Sequence, residues 1–447
     1  MTKFRSATIY YRRVDDFWRK EDKYLYLEQV EHRNNITWLP LTPDKKYAWI
    51  TEGLRDEFDD FISIGSKEAK SSNEINPEAI FKKYGRGIAT ARDAWAYNFN
   101  RANLTQNIRK TIDVYNECVF RWSHQKNQKS KLDDFVKYED TQISWSRDLK
   151  LDLERRRYAN FLDEKVRKSL YRPFTKSYLF FDRILNEEVY VFPAFFPTPA
   201  TEKENRVICV VNEAQIPFST QMAACIPCLH YGGRQTQCFP FYTYDEDGTN
   251  RRENITDWAL NQFCSHYQDD AIAKWDIFHY VYAVLHHQQY RDRYAANLKR
   301  ELPRIPFVSD FWAFANAGKR LAEIHVNYEQ QPEYPLRWIE NRNLPLDWRV
   351  QKMKLSKDKT QLVYNDFLTL NSIPPKTFDY RIGNRSALDW VINQYQVKTD
   401  KRSGITNDPN RLDDEQYIVR LIGQVITVSL ETVKIVNSLP SLGIPDS

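Results

Sequence analysis

DIFHYVYAVLHHQQYRDRYAANLKRELPRIP, Asp276 to Pro306, is the clearest helical text in the chain. Ile277, Val281 and Leu285 recur every fourth residue, and Tyr290, Tyr294, Leu298 and Leu302 continue the series. That spacing matches the 3.6-residue period and predicts an apolar and aromatic stripe along one helix, or along two that meet near His286–His287. Arg293 and Arg300 are seven apart and fall on one flank, as in a core helix with a basic outer side. Pro303 and Pro306 stop the helix and force an extended exit.

Outward from this stretch the text changes character in both directions. On the N-terminal side, YRPFTKSYLFFDRILNEEVYVFP (171–193) and RVICVVNE (206–213) read as aromatic and buried strands, with a hairpin turn expected at Asn186–Glu187. Asp245–Gly248 reads as a hairpin tip. Residues 101–170 are charged and helix-periodic, and Lys126–Lys131 is expected as an exposed basic loop. Near the start, ATIYYRRV (7–14) reads as a lone short strand, which needs partners to be stable, and Gly53–Glu78 reads as loop or linker. On the C-terminal side a mixed segment follows Pro332, and Asp414–Asn437 is a helix with a wide apolar face and a narrow polar strip. The expected fold class is therefore α+β: an aromatic-rich mixed sheet part, a helical middle, and a mixed C-terminal part closed by a long helix. The expected divisions are 1–84, 85–250, 251–328 and 329–447.

Composition narrows the function classes. The 447 residues carry 42% hydrophobic and 28% charged side chains, a globular balance. Only 12 glycines are present, few for a fold that brings backbone close to a nucleotide phosphate. Net charge is +5, compatible with a nucleic-acid partner. Six sparse cysteines and the lack of an apolar leader or an 18-residue apolar run point to a reducing cytoplasm and no membrane partner.

The chemical motifs are mostly excluded. Cys225-x-x-Cys228 with His230 and Cys238 has half of a zinc pattern, but no second CxxC or HxxxH completes it. Buried thiols are the simpler reading. Asn316–Arg320 lacks the first glycine and the hydroxyl of a phosphate loop. Ile373-Pro374-Pro375-Lys376 lacks the acid amide and aromatic flanks of an adenine methyltransferase motif. Asp16 with Glu21-Asp22-Lys23 is too closely spaced for a metal nuclease, and no Glu completes a calcium loop after Asp245. No catalytic residue, metal ligand or cofactor is assigned.

Five long blocks carry a resemblance. RGIATARDAWAYNF, YRPFTKSYLFFD, QCFPFYTYDEDG, LHHQQYRDRYAANLKRELPRIP and SALDWVINQYQVKTDKRSGITNDPN together resemble the C-terminal target-recognition region of type ISP single-polypeptide restriction–modification enzymes, in that family's order. The full family carries a nuclease, a helicase motor, an adenine methyltransferase and then the recognition domain. The resemblance implies that residues 1–84 are the end of a methyltransferase-like domain plus a linker. It also implies that Thr90, Arg92 and Asp93 lie where recognition begins, and that Asp400–Gly404 lies in the C-terminal part of the specificity region. Sequence-specific recognition of double-stranded DNA is the expected function, beside methyltransferase and helicase domains in cis or as a separate subunit. The expected DNA contacts are Arg86, Thr90, Arg92, Arg381, Asn384, Arg385, Lys398, Lys401 and Arg402, with Asn384 a base reader. The alternative is a protein-interaction module docking on a separate methyltransferase or motor subunit. A third reading, an enzyme in its own right, needs a methyl-donor site that the motifs do not supply.

Overall fold

The Asp276–Pro306 stretch forms helix Lys274–His286, a break, and helix Gln288–Arg293. The break falls at His287, whose backbone is extended (φ −65°, ψ 126°). Every stripe residue from Ile277 to Leu298 is fully buried, each aliphatic one contributing about 1.5–3 kcal/mol of apolar burial. The basic flank is not simply solvated, since Arg293 bonds Glu57 through Nε (3.0 Å) and Nη2 (2.8 Å). Past Pro303 the chain is extended, and Arg304–Ile305 pairs antiparallel with Ile62–Ser63.

The computed structural model describes residues 8–14, 18–43, 47, 49–71, 77–125 and 131–443. The expected basic loop at Lys126–Lys131 lies, but for Lys131, outside the described residues. Two units separate, Met1–Arg55 and Asp56–Ser447. The first contains β1 (Ile9–Tyr11) paired antiparallel with β2 (Leu39–Leu41), and α1 (Lys20–Val30) between them in sequence. The opening strand therefore has its partner within the first unit.

The second unit is built on three four-stranded sheets. β3 (Gly85–Arg86) and β4 (Tyr97–Asn98) precede α2 (Arg101–Ser123), which Asn100 caps by accepting from the Asn103 amide. β5 (Val166–Arg172) and β6 (Thr175–Phe180) form a hairpin. β7 (Val207–Val211), β8 (Ser219–Ala223), β9 (Ile226–Pro227) and β10 (Gln237–Pro240) follow. The first sheet has the order β9-β5-β6-β4 and the second β3-β10-β7-β8. β7 is buried on both faces: Val207 and Cys209 enter one core cluster, Ile208 and Val210 another. The two-residue strand period sorts them.

The second cluster is covered by α3 (Asp257–Tyr267), α4 (Lys274–His286), α5 (Gln288–Arg293) and α6 (Phe311–Val326). Gly318 of α6 lets α4 come close, since a Cβ there would sit 1.8 Å from the His279 carbonyl oxygen. The glycine of the failed phosphate-loop match is thus a helix-crossing residue. The third sheet has the order β11-β14-β13-β12, from β11 (Arg337–Glu340), β12 (Lys354–Leu355), β13 (Gln361–Val363) and β14 (Leu368–Asn371). Two hairpins follow, β15 (Arg381–Ile382) with β16 (Arg385–Ser386) and β17 (Lys398–Thr399) with β18 (Thr406–Asn407), separated by α7 (Ala387–Gln394). α8 (Tyr417–Asn437) closes the chain with Ile418, Leu421, Ile422 and Val425 in the first core cluster.

Two expectations change and one holds. Residues 56–84 are not a linker: Phe58, Ile64, Ile80, Phe81 and Tyr84 enter the second cluster, and the division falls after Arg55. The aromatic hairpin turns at Pro173–Phe174, where Phe174 has φ 54°, and not at Asn186–Glu187. Asn186 lies in an irregular loop fixed by Asp182, whose Oδ1 accepts from the amides of Ile184 and Leu185. Asp245–Gly248 is a hairpin tip, with Gly248 at φ +88° between the paired strands Tyr242–Thr243 and Arg252–Glu253.

Candidate nucleic-acid interface

The β15–β16 hairpin turns through Gly383–Asn384, and Gly383 takes φ +63°, a conformation that favours glycine and closes a two-residue hairpin. The Arg381 guanidinium donates to the Asn384 carbonyl across the turn. Asn384 is exposed, and its side-chain amide has no hydrogen-bond partner among the described residues. Arg385 is exposed and lies 5.0 Å from the centroid of Trp390. That ring is buried and donates from Nε1 to the Ile382 carbonyl at 3.0 Å. The hairpin is therefore held rigidly from beneath while its polar tip is free.

The β17–β18 hairpin turns through Asp400–Gly404. Asp400 Oδ1 accepts from the Ser403 amide (2.8 Å), the Ser403 hydroxyl (2.9 Å) and the Arg402 amide (3.2 Å). These bonds hold its carboxyl below the usual carboxylate range. The carboxylate is thus spent on the turn, while Lys401 and Arg402 are exposed and make no ion pair among the described residues. Asn407 docks the hairpin by accepting from the Phe99 amide at 2.9 Å.

Between the hairpins sits a cluster of cations. Lys398 donates to the Asn393 carbonyl at 2.8 Å. Desolvation lowers its ammonium pKa, and the charges of Arg385 and Arg172 add to the effect. Arg172 comes from the end of β5, far away in sequence, and lies 3.9 Å over the Tyr171 ring. Arg172 was not among the expected contacts. Its one signal in the sequence is its place inside the YRPFTKSYLFFD block.

Thr90 and Arg92 differ from expectation. They are 2% and 4% exposed. Arg92 Nε donates to the Ser144 carbonyl at 3.1 Å, Nη1 to the Leu185 carbonyl at 2.5 Å, and Nη2 to the Ser146 hydroxyl. Burial pushes its guanidinium down to about 10. Thr90 donates to Asp93, and the other Asp93 oxygen accepts from the Tyr171 hydroxyl at 3.0 Å and lies 3.9 Å from Arg172. The side-chain donors of Thr90 and Arg92 are committed inside the protein: Thr90 holds Asp93, while Arg92 ties together the segments of Ser144–Ser146 and Leu185. Arg86 is exposed on edge strand β3 opposite Gln237. It groups with Lys70, whose ammonium pKa is lowered by burial and then by Lys83 and Arg86.

The zinc pattern is not assembled. Cys225, Cys228 and Cys238 are buried, and desolvation raises all three thiols, Cys225 to about 12. His230 is exposed, and the Cys228 sulfur accepts from Arg172 at 3.2 Å. Among the described residues no group of three or more His, Cys, Asp or Glu could hold a metal ion, and no helix is long and apolar enough to cross a membrane.

Three solved structures are similar over nearly the whole chain. A nuclease-deletion mutant of the Type ISP restriction–modification enzyme LlaGI, in complex with a DNA substrate mimic, is 33% identical, with TM-score 0.85 over 98% of this chain and 40% of that one. The ATP-dependent Type ISP restriction–modification enzyme LlaBIII, bound to DNA, is 30% identical, with TM-score 0.83 over 95% and 27%. A DrdV–DNA complex is 32% identical, with TM-score 0.85 over 98% and 44%. The chain spans less than half the length of each. Comparison with curated proteins gives no match. The family model described as the Type ISP C-terminal specificity domain matches residues 79–421, and the chain belongs to that family.

Proposed function

We propose that this chain recognises a specific sequence in double-stranded DNA for a Type ISP restriction–modification system in the cytoplasm. The observation that carries the reading is the convergence of Arg172, Arg385 and Lys398 from three separate segments beside the free Asn384 tip. The exposed Arg385 and Lys398, with Arg172 held behind them beside Asp93, suit the phosphate backbone, which supplies most of the affinity, while a free amide on a rigid turn suits a base edge. Arg381, Arg385, Lys398, Lys401, Arg402 and Arg86 are the proposed contacts with DNA, and Asn384 the proposed base reader. Thr90 and Arg92 are proposed as positioning residues. The proposed partners, besides DNA, are methyltransferase and helicase domains in cis or as a separate subunit. Exposed Tyr10, Leu25, Leu27 and Trp38 in the first unit suit such a protein neighbour.

The test is selection of bound duplexes from a random library by the purified chain, at about 50 mM and then about 200 mM salt, a range over which phosphate-only binding falls steeply. An enriched asymmetric motif that survives the higher salt supports the reading. Recovery without a motif, lost at higher salt, refutes self-sufficient recognition.

A further inference from the structure

A cavity of about 420 Å³ opens beneath the β15–β16 hairpin, walled by Phe218, His286, Arg291, Lys299, Tyr380 and Arg381. The reading above makes no use of it. Three of the residues around it each carry a polar atom that is shielded from solvent and has no hydrogen-bond partner among the described residues: Arg291 Nη2, His286 Nε2 and the Tyr380 hydroxyl. Buried polar groups rarely stay unmatched, and a shielded guanidinium nitrogen is among the most costly.

Asp292 and Asp379 also line the cavity and the charge of Asp292 acts on Arg291, but among the described residues no carboxylate bonds its guanidinium. Its Nε donates to the Leu285 carbonyl at 2.8 Å, at the C-terminal end of α4, and no ion pair forms among the described residues. Asp292 is bonded instead by Gln288 Nε2 at 2.9 Å, and Asp379, also in the wall, pairs with neither arginine. The charge of Arg291 is felt by both neighbours, depressing the His286 ring after desolvation has done so, and drawing down the Tyr380 hydroxyl against the rise that burial causes. The three orphaned groups therefore share one neighbourhood.

Their hydrogen-bonding character defines the ligand. His286 Nδ1 lies 2.8 Å from the Tyr282 carbonyl, which can only accept, so Nδ1 carries the proton. In the neutral ring Nε2 is then a bare acceptor. The wall thus offers donors from Arg291 and Tyr380 and one acceptor from His286. A fully ionised anion such as sulfate satisfies the donors and is repelled by the acceptor. An oxyanion that keeps one hydroxyl satisfies all three.

We propose that this cavity binds a phosphate-class oxyanion bearing one P–OH, with Arg291 Nη2 and the Tyr380 hydroxyl donating to its oxygens and His286 Nε2 accepting its proton. Lys299 and Arg381 supply further positive charge in the wall. At pH 7 inorganic phosphate keeps at least one P–OH, the terminal phosphate of a nucleotide, with its second pKa at about 6, keeps one in only about a tenth of its molecules, and an internal DNA phosphodiester has none. Because Arg381 and Gly383 belong to the cavity wall, an occupant braces the recognition hairpin from below.

The full chain is titrated calorimetrically with inorganic phosphate, sulfate, dimethyl phosphate and adenosine monophosphate at pH 7 and constant ionic strength. Phosphate or the nucleotide is expected to bind at least about tenfold more tightly than sulfate or dimethyl phosphate, the weight of one hydrogen bond to a charged group. The tighter of the first two identifies the source. Arg291→Gln is expected to weaken binding about tenfold to hundredfold on the same scale. His286→Asn, which keeps a donor toward Tyr282 and loses the outer acceptor, is expected to abolish the preference over sulfate. Tyr380→Phe, which keeps the buried ring, should weaken phosphate about tenfold and serves as the test if Arg291→Gln does not fold. No binding of either phosphate species by the wild type, or equal binding of phosphate and sulfate, overturns the proposal. DNA selection is scored separately, so failure there leaves this result standing.

Discussion

Replacing Arg92 by alanine separates a positioning residue from a DNA contact. The truncation removes donors from two carbonyls, the buried one of Leu185 and the half-buried one of Ser144, and from the Ser146 hydroxyl. A stranded buried acceptor costs about 1–3 kcal/mol, so the two carbonyls together cost about 2–6 kcal/mol. Removing the guanidinium also relieves a desolvation penalty, visible in its depression to about 10, which brings the expected net loss to about 3 kcal/mol. Lysine is not a rescue, because one ammonium cannot serve acceptors on three sides as a planar fork does. Urea unfolding followed by fluorescence measures the loss, and duplex affinity is measured in parallel per mole of folded protein. The expected result is a clearly lower unfolding midpoint with the same target sequence and salt slope. Unchanged stability together with weakened DNA binding would mean that Arg92 leaves its buried seat to touch DNA, and the positioning role would be refuted.

Lys401→Ala and Arg402→Ala should each weaken binding to all duplexes alike and reduce the salt slope by about 1, as removal of one phosphate contact does; a change in sequence preference would contradict this. Asn384→Ala should cost about 1–3 kcal/mol and relax a single position of the selected motif, read from repeated library selection; a uniform loss across sequences would place Asn384 on the backbone. Acid should destabilise the fold through buried histidines. His325 sits between the Tyr282 and Thr432 hydroxyls, and burial, followed by Arg291, lowers its ring to about 3. The unfolded chain then takes up the proton first, below about pH 6.5, so stability falls as pH drops from there toward 3, by up to about 1.4 kcal/mol per pH unit for this group. Chemical unfolding from pH 7 to pH 4 should show that slope, and His325→Gln should flatten it; an identical slope in the variant would refute the assignment.

Local periodicity was enough for the elements. The stripe from Ile277 to Leu298, the break at His286–His287, the extended exit after Pro303, the buried RVICVVNE strand and the closing helix all rest on spacing within a few residues, where the helix and strand periods act directly. The resemblance of five ordered blocks to the type ISP specificity region was equally legible, because similarity of wording along the chain needs no knowledge of the fold. The hairpin turn was misplaced because Asn186 reads locally as a turn former, whereas Pro173–Phe174 turns with Phe174 buried in the core. Side-chain roles depended on distance. Arg86, Arg92 and Arg385 are alike in sequence, each a cation near a turn. Arg92 is buried because acceptors 52 and 93 residues further on close over it. Arg385 is exposed and stacked beside Trp390, and joins a cation cluster only because β5 delivers Arg172 and β17 delivers Lys398 to the same place. Whether a charge is solvated, paired or desolvated is set by groups that tertiary packing brings near, and no pattern of neighbours along the chain encodes it.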